Sequence, residues 1–248
     1  MKTVLCRAWL AVLLGAATIP TPAQTSAHSE ASARYAAGDF AGAEALLRQA
    51  LATDDADVGP LQFALGNCAY RQGRLADALL AYRRATLRLP RDAELRFNTS
   101  LVEHELGAEQ PAPSPIAALS APLAHFTRRE LAVAVATLQT LGLCFALLAW
   151  RRAALRTALL ALAGVGVLLG AYLVHSVWMQ APDAIVLARR AGLHDEPRVD
   201  APATVEARAG DTVVVEELGA TWLRVTHAAG SGWIERAQVG LIDPGRAE

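Results

Sequence analysis

The chain has 248 residues, 53% of them hydrophobic and 19% charged, with a formal net charge of -1. That is room for one or two ordinary domains, and it is apolar for a soluble protein of this size. The near-zero charge argues against a nucleic-acid partner, which needs a basic field.

The first block is MKTVLCRAWLAVLLGAATIPTPAQ. Lys2 and Arg7 give a positive start, Trp9 to Ala17 a short apolar stretch, and Thr21-Pro22-Ala23 a run of small residues. This predicts a secretory signal peptide over 1–23, cleaved near Ala23, with an uncleaved anchor as the alternative. Cys6 precedes the apolar run and is badly placed for a lipoprotein cysteine. Cys68 falls in a soluble helix and Cys144 in an apolar run. No two cysteines share a compartment as a pair, so no disulfide is expected.

An internal repeat follows, over 29–107. YAAGDFAGAEALLRQAL from Tyr35 aligns with YRQGRLADALLAYRRAT from Tyr70 at an offset of 35 residues, and Gly107 follows Gly73 by 34. Gly38 aligns with Gly73, Ala43 with Ala78, and Ala50 with Ala85. A period near 34 marks stacked helix-turn-helix units. Gly73 ends a helix and permits the tight turn, and Ala78 and Ala85 are small where helices cross. Leu65, Leu79 and Tyr82 fill the space between helices, and Pro90 stops the second helix. Asp54, Asp55 and Asp57 cluster in an inter-repeat turn, read as solvated rather than cation-binding.

The stretch LGNCAYRQGRLADALLAYRRATLRLP resembles a tetratricopeptide repeat, through Leu65-Gly66, Gly73, Ala78, Tyr82, Ala85 and Pro90. The first copy lacks the closing proline. The third, AELRFNTSLVEHELG, has a first helix alone, which caps the stack at about two and a half repeats. The resemblance implies a concave groove lined by Tyr35, Phe63, Asn67, Tyr70, Arg71, Phe97, Asn98 and His104, with a protein segment as its ligand. Asn67 and Asn98 resemble the asparagine pair that some members place on a peptide backbone or C-terminal carboxylate. Phe63 stands where such clamps carry lysine, so a generic protein-binding groove is expected instead. For Phe63 and Phe97, packing between repeats is the competing reading.

Residues 108–128 form a proline-rich linker, with EQPAPSPIAALSAP at its centre. Two apolar runs come next, Leu131 to Trp150 and Thr157 to Trp178, separated by Arg151, Arg152 and Arg156. Each run is long enough to cross a bilayer as a helix. Short loops rich in arginine stay cytoplasmic, and Trp150 and Trp178 suit the interface. A transmembrane hairpin over 129–178 is expected, both ends pointing outward. Gly142 with Ala146, and Gly166 with Gly170, are spaced for close helix packing, on each other or on a partner's helix. His175 is read as interfacial.

From 183 to 243 the texture is all-β: AIVLARR, TVVVEELG, TWLRVTH and GSGWIE are short, β-branched runs broken by Gly, Pro or Asp. Gly210-Asp211, Trp222-Leu223-Arg224-Val225 and Gly232-Trp233-Ile234 resemble a bacterial SH3-like (SH3b) domain, which implies a small barrel. The first loop, Gly192 to Pro202, departs from that pattern. Trp222 and Trp233 are read mainly as core and edge aromatics, with a shallow platform for cell-wall peptide or glycan as the alternative.

No catalytic constellation is present in the sequence. The six histidines are scattered, and there is no metal-ligand spacing, phosphate loop, serine elbow or Cys-x-x-Cys. No catalytic, cofactor-binding or metal residue is assigned. Basic residues form no face with interleaved aromatics, so no nucleic-acid partner is expected.

The order of signal, repeats, spacer, hairpin and β domain is similar to the BatE-like family of bacterial aerotolerance operons. The fold class expected is a multi-domain membrane protein: an all-α repeat stack, a two-helix hairpin and an SH3-like barrel. The resemblance implies a non-enzymatic scaffold of the bacterial inner membrane, with both lobes in the periplasm. Its implied partners are Bat-type membrane proteins with von Willebrand factor A domains and a MoxR-type ATPase. The alternatives are a peptidoglycan-binding anchor and a regulatory subunit of a membrane enzyme.

Overall fold

The computed structural model describes residues 22–52, 58–107, 126–148, 161–162, 164–168, 170 and 183–243. Most of the expected signal peptide, the aspartate-rich turn 53–57, most of the linker, and the arginine bend with Arg151, Arg152 and Arg156 lie outside the described residues. So do Cys144's and Ala146's side chains, Trp150, His175 and Trp178.

Five helices carry the repeats: α1 (Pro22–Ala36), α2 (Phe40–Leu51), α3 (Val58–Arg71), α4 (Leu75–Thr86) and α5 (Ala93–Leu106). They pair as α1/α2 and α3/α4, and α5 stands without a second helix in the described residues, as the sequence period requires. The glycines that set the period end first helices with left-handed backbone, Gly38 at φ +83, Gly73 at +73 and Gly107 at +60. Side chains with a Cβ disfavour that region. Asp39 caps α2 and Asp92 caps α5, accepting from Gly42 N–H at 2.8 Å and Leu95 N–H at 2.9 Å. Between α3 and α4 the ridges meet at Gly66, where an added Cβ would strike the Tyr82 ring. Ala78, Ala85 and Tyr82 are at most 1% exposed there.

The C-terminal lobe is one antiparallel seven-stranded sheet of order β3-β2-β6-β5-β4-β1-β7. The strands are β1 (Asp183–Val186), β2 (Arg190–His194), β3 (Ala203–Arg208), β4 (Thr212–Leu218), β5 (Trp222–His227), β6 (Gly230–Glu235) and β7 (Val239–Leu241). All seven contribute to a single buried cluster that includes Val186, Leu193, Ala207, Val213, Leu223, Ile234 and Leu241. Only a strongly coiled sheet brings one face of every strand to one core.

Three expectations need correction here. AIVLARR is not one strand: β1 ends at Val186 and β2 begins at Arg190. The loop from Gly192 is partly strand, since Gly192 pairs with Glu206 and Leu193 with Val205. β3 and β7 were not anticipated. β3 exposes four of its six residues and β7 buries all three, so neither gives a clean alternation to read.

The two lobes share a core. β1 is buried on both faces. Ala184 and Val186 turn into the sheet, while Ile185, 0% exposed, joins Leu79, Leu80 and Leu95 of the helices. Full burial of such a side chain contributes about 1.5–3 kcal/mol. Leu187, Ile242 and Leu106 extend the contact. Gly240 lies so close to Leu80 that a Cβ has no room, and Gly210 similarly abuts Leu106.

Between the lobes runs α6 (Arg128–Leu148). A capping box opens it: Glu130 N–H donates to Thr127 Oγ1 at 3.2 Å, and Thr127 N–H to Glu130 Oε2 at 2.8 Å. Arg91, in the turn before α5, grips Glu130 with two bonds of 3.1 and 3.2 Å and stacks on Phe126 at 4.8 Å. The described residues between 161 and 170 are helical and pack on α6. Gly166 and Gly170 are buried, and Gln139 donates to the Gly166 carbonyl at 3.2 Å. Among the described residues no helix is long and apolar enough to cross a membrane. Both expected spans continue into residues outside that set.

Candidate functional site: the groove of the helical lobe

Two clefts open along the first helices of the repeats. One, of about 310 Å³, lies between α1 and α3 and is lined by His28, Ala31, Ser32, Tyr35, Leu47, Pro60, Phe63, Ala64, Asn67 and Cys68. The next, of about 220 Å³, lies between α3 and α5 and is lined by Tyr35, Asn67, Tyr70, Arg71, Tyr82, Glu94, Asn98, Leu101 and Val102. Tyr35 and Asn67 belong to both, so the two form one groove with a partition.

Helical spacing places these side chains. Phe63, Asn67 and Tyr70/Arg71 recur at three- and four-residue intervals on one face of α3, and Asn98 and Leu101 do the same on α5. Tyr82 enters from α4 behind them, and its hydroxyl donates to Asn67 Oδ1 at 2.7 Å. Asn98 Nδ2 donates to the same oxygen at 3.3 Å. Burial pushes the Tyr82 phenol well above its ordinary range, so it stays a neutral donor. Arg71 lies over the Phe40 ring at 4.6 Å and the Tyr35 ring at 5.9 Å. Tyr70 donates to Glu105 at 2.8 Å.

Of the eight residues expected to line the groove, the clefts bring together six: Tyr35, Phe63, Asn67, Tyr70, Arg71 and Asn98. Phe97 is 66% exposed and His104 is exposed, and neither lines a cleft. Phe97 therefore does not pack the repeats. Phe63 both packs, 5.9 Å from the Tyr82 ring, and lines the first cleft. The floor was missed. Ala31, Leu47 and Cys68 are buried core residues that a neighbouring gap leaves as the cleft bottom, and a small or apolar residue carries no sequence signal for that role.

Residues 34–96 match the tetratricopeptide repeat family. Residues 34–96 form a tetratricopeptide repeat region. The match runs from the end of α1 through α2, α3 and α4 to the start of α5. No curated protein matches the chain.

Behind the repeat groove, a second polar cluster ties repeat to repeat. Glu44 of α2 bonds Arg74 closely, accepts from Gln72 at 2.8 Å and pairs with Arg48 at 2.6 Å. Burial alone would raise the Glu44 carboxyl, but the bonds from Gln72 and Arg74 and the two guanidinium charges outweigh it and hold it below the ordinary range. Cys68, 1% exposed, has its thiol pushed up to about 11, chiefly by burial.

On the β lobe, Trp222 and Trp233 lie on the outward face. Arg224 pairs with Trp233 and Trp222 with Glu235, while Leu223, Val225 and Ile234 turn inward. Both indoles are half-buried, neither in the core. His194 pairs with Trp233 across β2 and β6 and meets the Trp222 ring edge-on at 5.6 Å. Its Nδ1 must carry the proton, because it bonds the Ala201 carbonyl at 2.7 Å. Among the described residues no group of three or more His, Cys, Asp and Glu is placed to hold a metal ion.

Proposed function

We propose that the chain is a non-enzymatic adaptor whose repeat groove docks a segment of a partner protein beside a membrane. One observation carries the reading: the two clefts join at Tyr35 and Asn67 into a groove on the first helices of a tetratricopeptide repeat region. Repeats of this kind generally mediate protein–protein contact.

The membrane part rests on the apolar helix pair and the shared core. Val133, Leu141, Leu162, Val165, Val167 and Leu168 are all more than 40% exposed, a surface that suits lipid better than water. The lobes before and after this pair bury Ile185 together. They therefore occupy one side of any bilayer, and the chain between them crosses an even number of times. The arginine bend argues for a two-span hairpin with its turn in the cytoplasm and both lobes in the bacterial periplasm. A Bat-type assembly with von Willebrand A domain proteins is the setting the resemblance implies, and an SH3-like ancestry for the β lobe goes with it.

Alkaline phosphatase fused after Glu109, Ala154 or Glu248 tests the topology: activity is expected at the first and third sites alone. A photocrosslinker at Phe97, beside the groove, is expected to capture a partner that one at exposed Gln49 does not. Equal capture at both positions sinks the docking reading.

The outward His194, Trp222 and Trp233 cluster favours a second reading, a peptidoglycan-binding anchor. Retention of the full-length protein on purified peptidoglycan, abolished by Trp222→Ala, would support it. The regulatory-subunit reading loses support, because Gly166 and Gly170 are occupied by Gln139 and Val135. Among the described residues of the pair, Gly142 and Gly164 face open space.

A further inference from the structure

The two clefts differ in chemistry, and the difference specifies a ligand; this step rests on the groove being the docking site. The first cleft is an apolar notch. Its floor is Ala31, Leu47 and Cys68, at most 2% exposed; among the described residues no Asp, Glu, Lys or Arg lines it, and His28 stands at its edge. At about 310 Å³ it stands at the small end of ligand sites. It suits one large apolar side chain entering from an extended chain.

The second cleft presents donors. Both lone pairs of Asn67 Oδ1 are taken, by Tyr82 and by Asn98. That fixes the amide and leaves its two N–H groups without a partner among the described residues. Arg71 brings a guanidinium that stacking on Phe40 and Tyr35 holds in place. It forms no ion pair among the described residues, so its charge is available. A cation already immobilised loses little further freedom when it engages a ligand. Glu94 lines the same cleft, and Glu105 beside it is occupied by Tyr70.

The amide donors stand at the partition, with groove on either side of them. A chain that stopped there would leave one cleft empty; a chain that runs through fills both. We propose that the groove takes an internal, extended peptide segment. It seats one large apolar side chain in the notch, passes its backbone carbonyls along the Asn67 and Asn98 amides, and sets an acidic side chain on Arg71.

The test uses the full-length protein in detergent and two random peptide libraries. One is displayed with flanking sequence on both sides, the other ends in a free carboxylate. The expected result is enrichment, from the internal library, of sequences pairing a large apolar residue with a nearby Asp or Glu. A synthetic peptide of that class is expected to bind Arg71→Glu about tenfold more weakly, or worse. Ser32→Trp, which closes the notch from its exposed rim, is expected to do the same. Both sites lie at the surface, and an unchanged circular dichroism melt confirms the fold. Enrichment from the free-carboxylate library alone, or of apolar–basic sequences, overturns the ligand class and leaves the groove reading standing. Peptides that bind both variants as tightly as the wild type overturn the groove reading too.

Discussion

The Arg84 guanidinium, on α4, donates from Nε at 3.0 Å and from Nη2 at 2.8 Å to the carbonyl of Leu241 on β7. These residues stand 157 positions apart, on opposite sides of the apolar segment. Burial pulls the Arg84 pKa below its ordinary value, yet a guanidinium remains charged, and charge strengthens both bonds. Arg84→Ala removes the donors and leaves an acceptor at the lobe interface. The expected cost is about 1.5–3 kcal/mol. Hydrogen exchange should show lost amide protection in β7 and β1 with β5 and β6 unchanged; uniform protection would show that the lobes do not depend on this contact.

Gly66→Ala tests how tightly the repeats close. The added Cβ meets the Tyr82 ring, a rigid neighbour already fixed by its bond to Asn67. Overpacking of this kind costs about 1–3 kcal/mol. The helical melt should fall, and groove binding should fall with it because Asn67 loses its orientation. Ala64→Gly on the same helix, beside the notch, is the control for helix propensity and should cost about 1 kcal/mol without touching Tyr82.

The Glu44 cluster makes the first two repeats pH-sensitive in a defined direction. Its folded pKa is depressed, so the unfolded chain binds more protons between the two values and stability rises with pH. The contribution is complete above the ordinary carboxylate range and is lost as pH falls through the lowered folded value. Wild type should therefore exceed Glu44→Gln by about 2 kcal/mol near neutrality. The gap should close in acid. A gap that persisted under acidic conditions would assign the effect to packing.

Cys68 should resist alkylation in the native protein. A thiol pushed up to about 11 holds almost no thiolate at neutral pH, and it is 1% exposed. Peptide mapping after iodoacetamide at pH 7 should find it unmodified, and modified after denaturation. Ready labelling of the folded protein would mean that the notch floor opens.

Periodicity made the repeat lobe readable. Gly38, Gly73 and Gly107 must adopt left-handed backbone wherever this helix pair turns, so their spacing alone marks α1 to α5. Six of the eight groove residues followed, because side chains at three- and four-residue steps share a face whatever surrounds them. Phe97 and His104 did not, since groove depth depends on the neighbouring helix. In the β lobe, the alternating strands β4, β5 and β6 were legible from Val213 to Ile234. β3 and β7 were not, because β3 exposes four of its six residues and β7 buries all three, which erases the alternation.

The sequence by itself determined the local structure: where helices turn, which alanines lie at crossings, and which runs are apolar. Those properties depend on each residue's own backbone and on neighbours within a turn or two. Tertiary structure alone decided that α4 faces the groove through Tyr82 and the β lobe through Leu80 and Arg84, that Gln139 fills the glycine face at Gly166, and that the tryptophans point outward. Each of these is a contact between segments distant along the chain, fixed by packing volume and hydrogen-bond satisfaction, which no local pattern encodes.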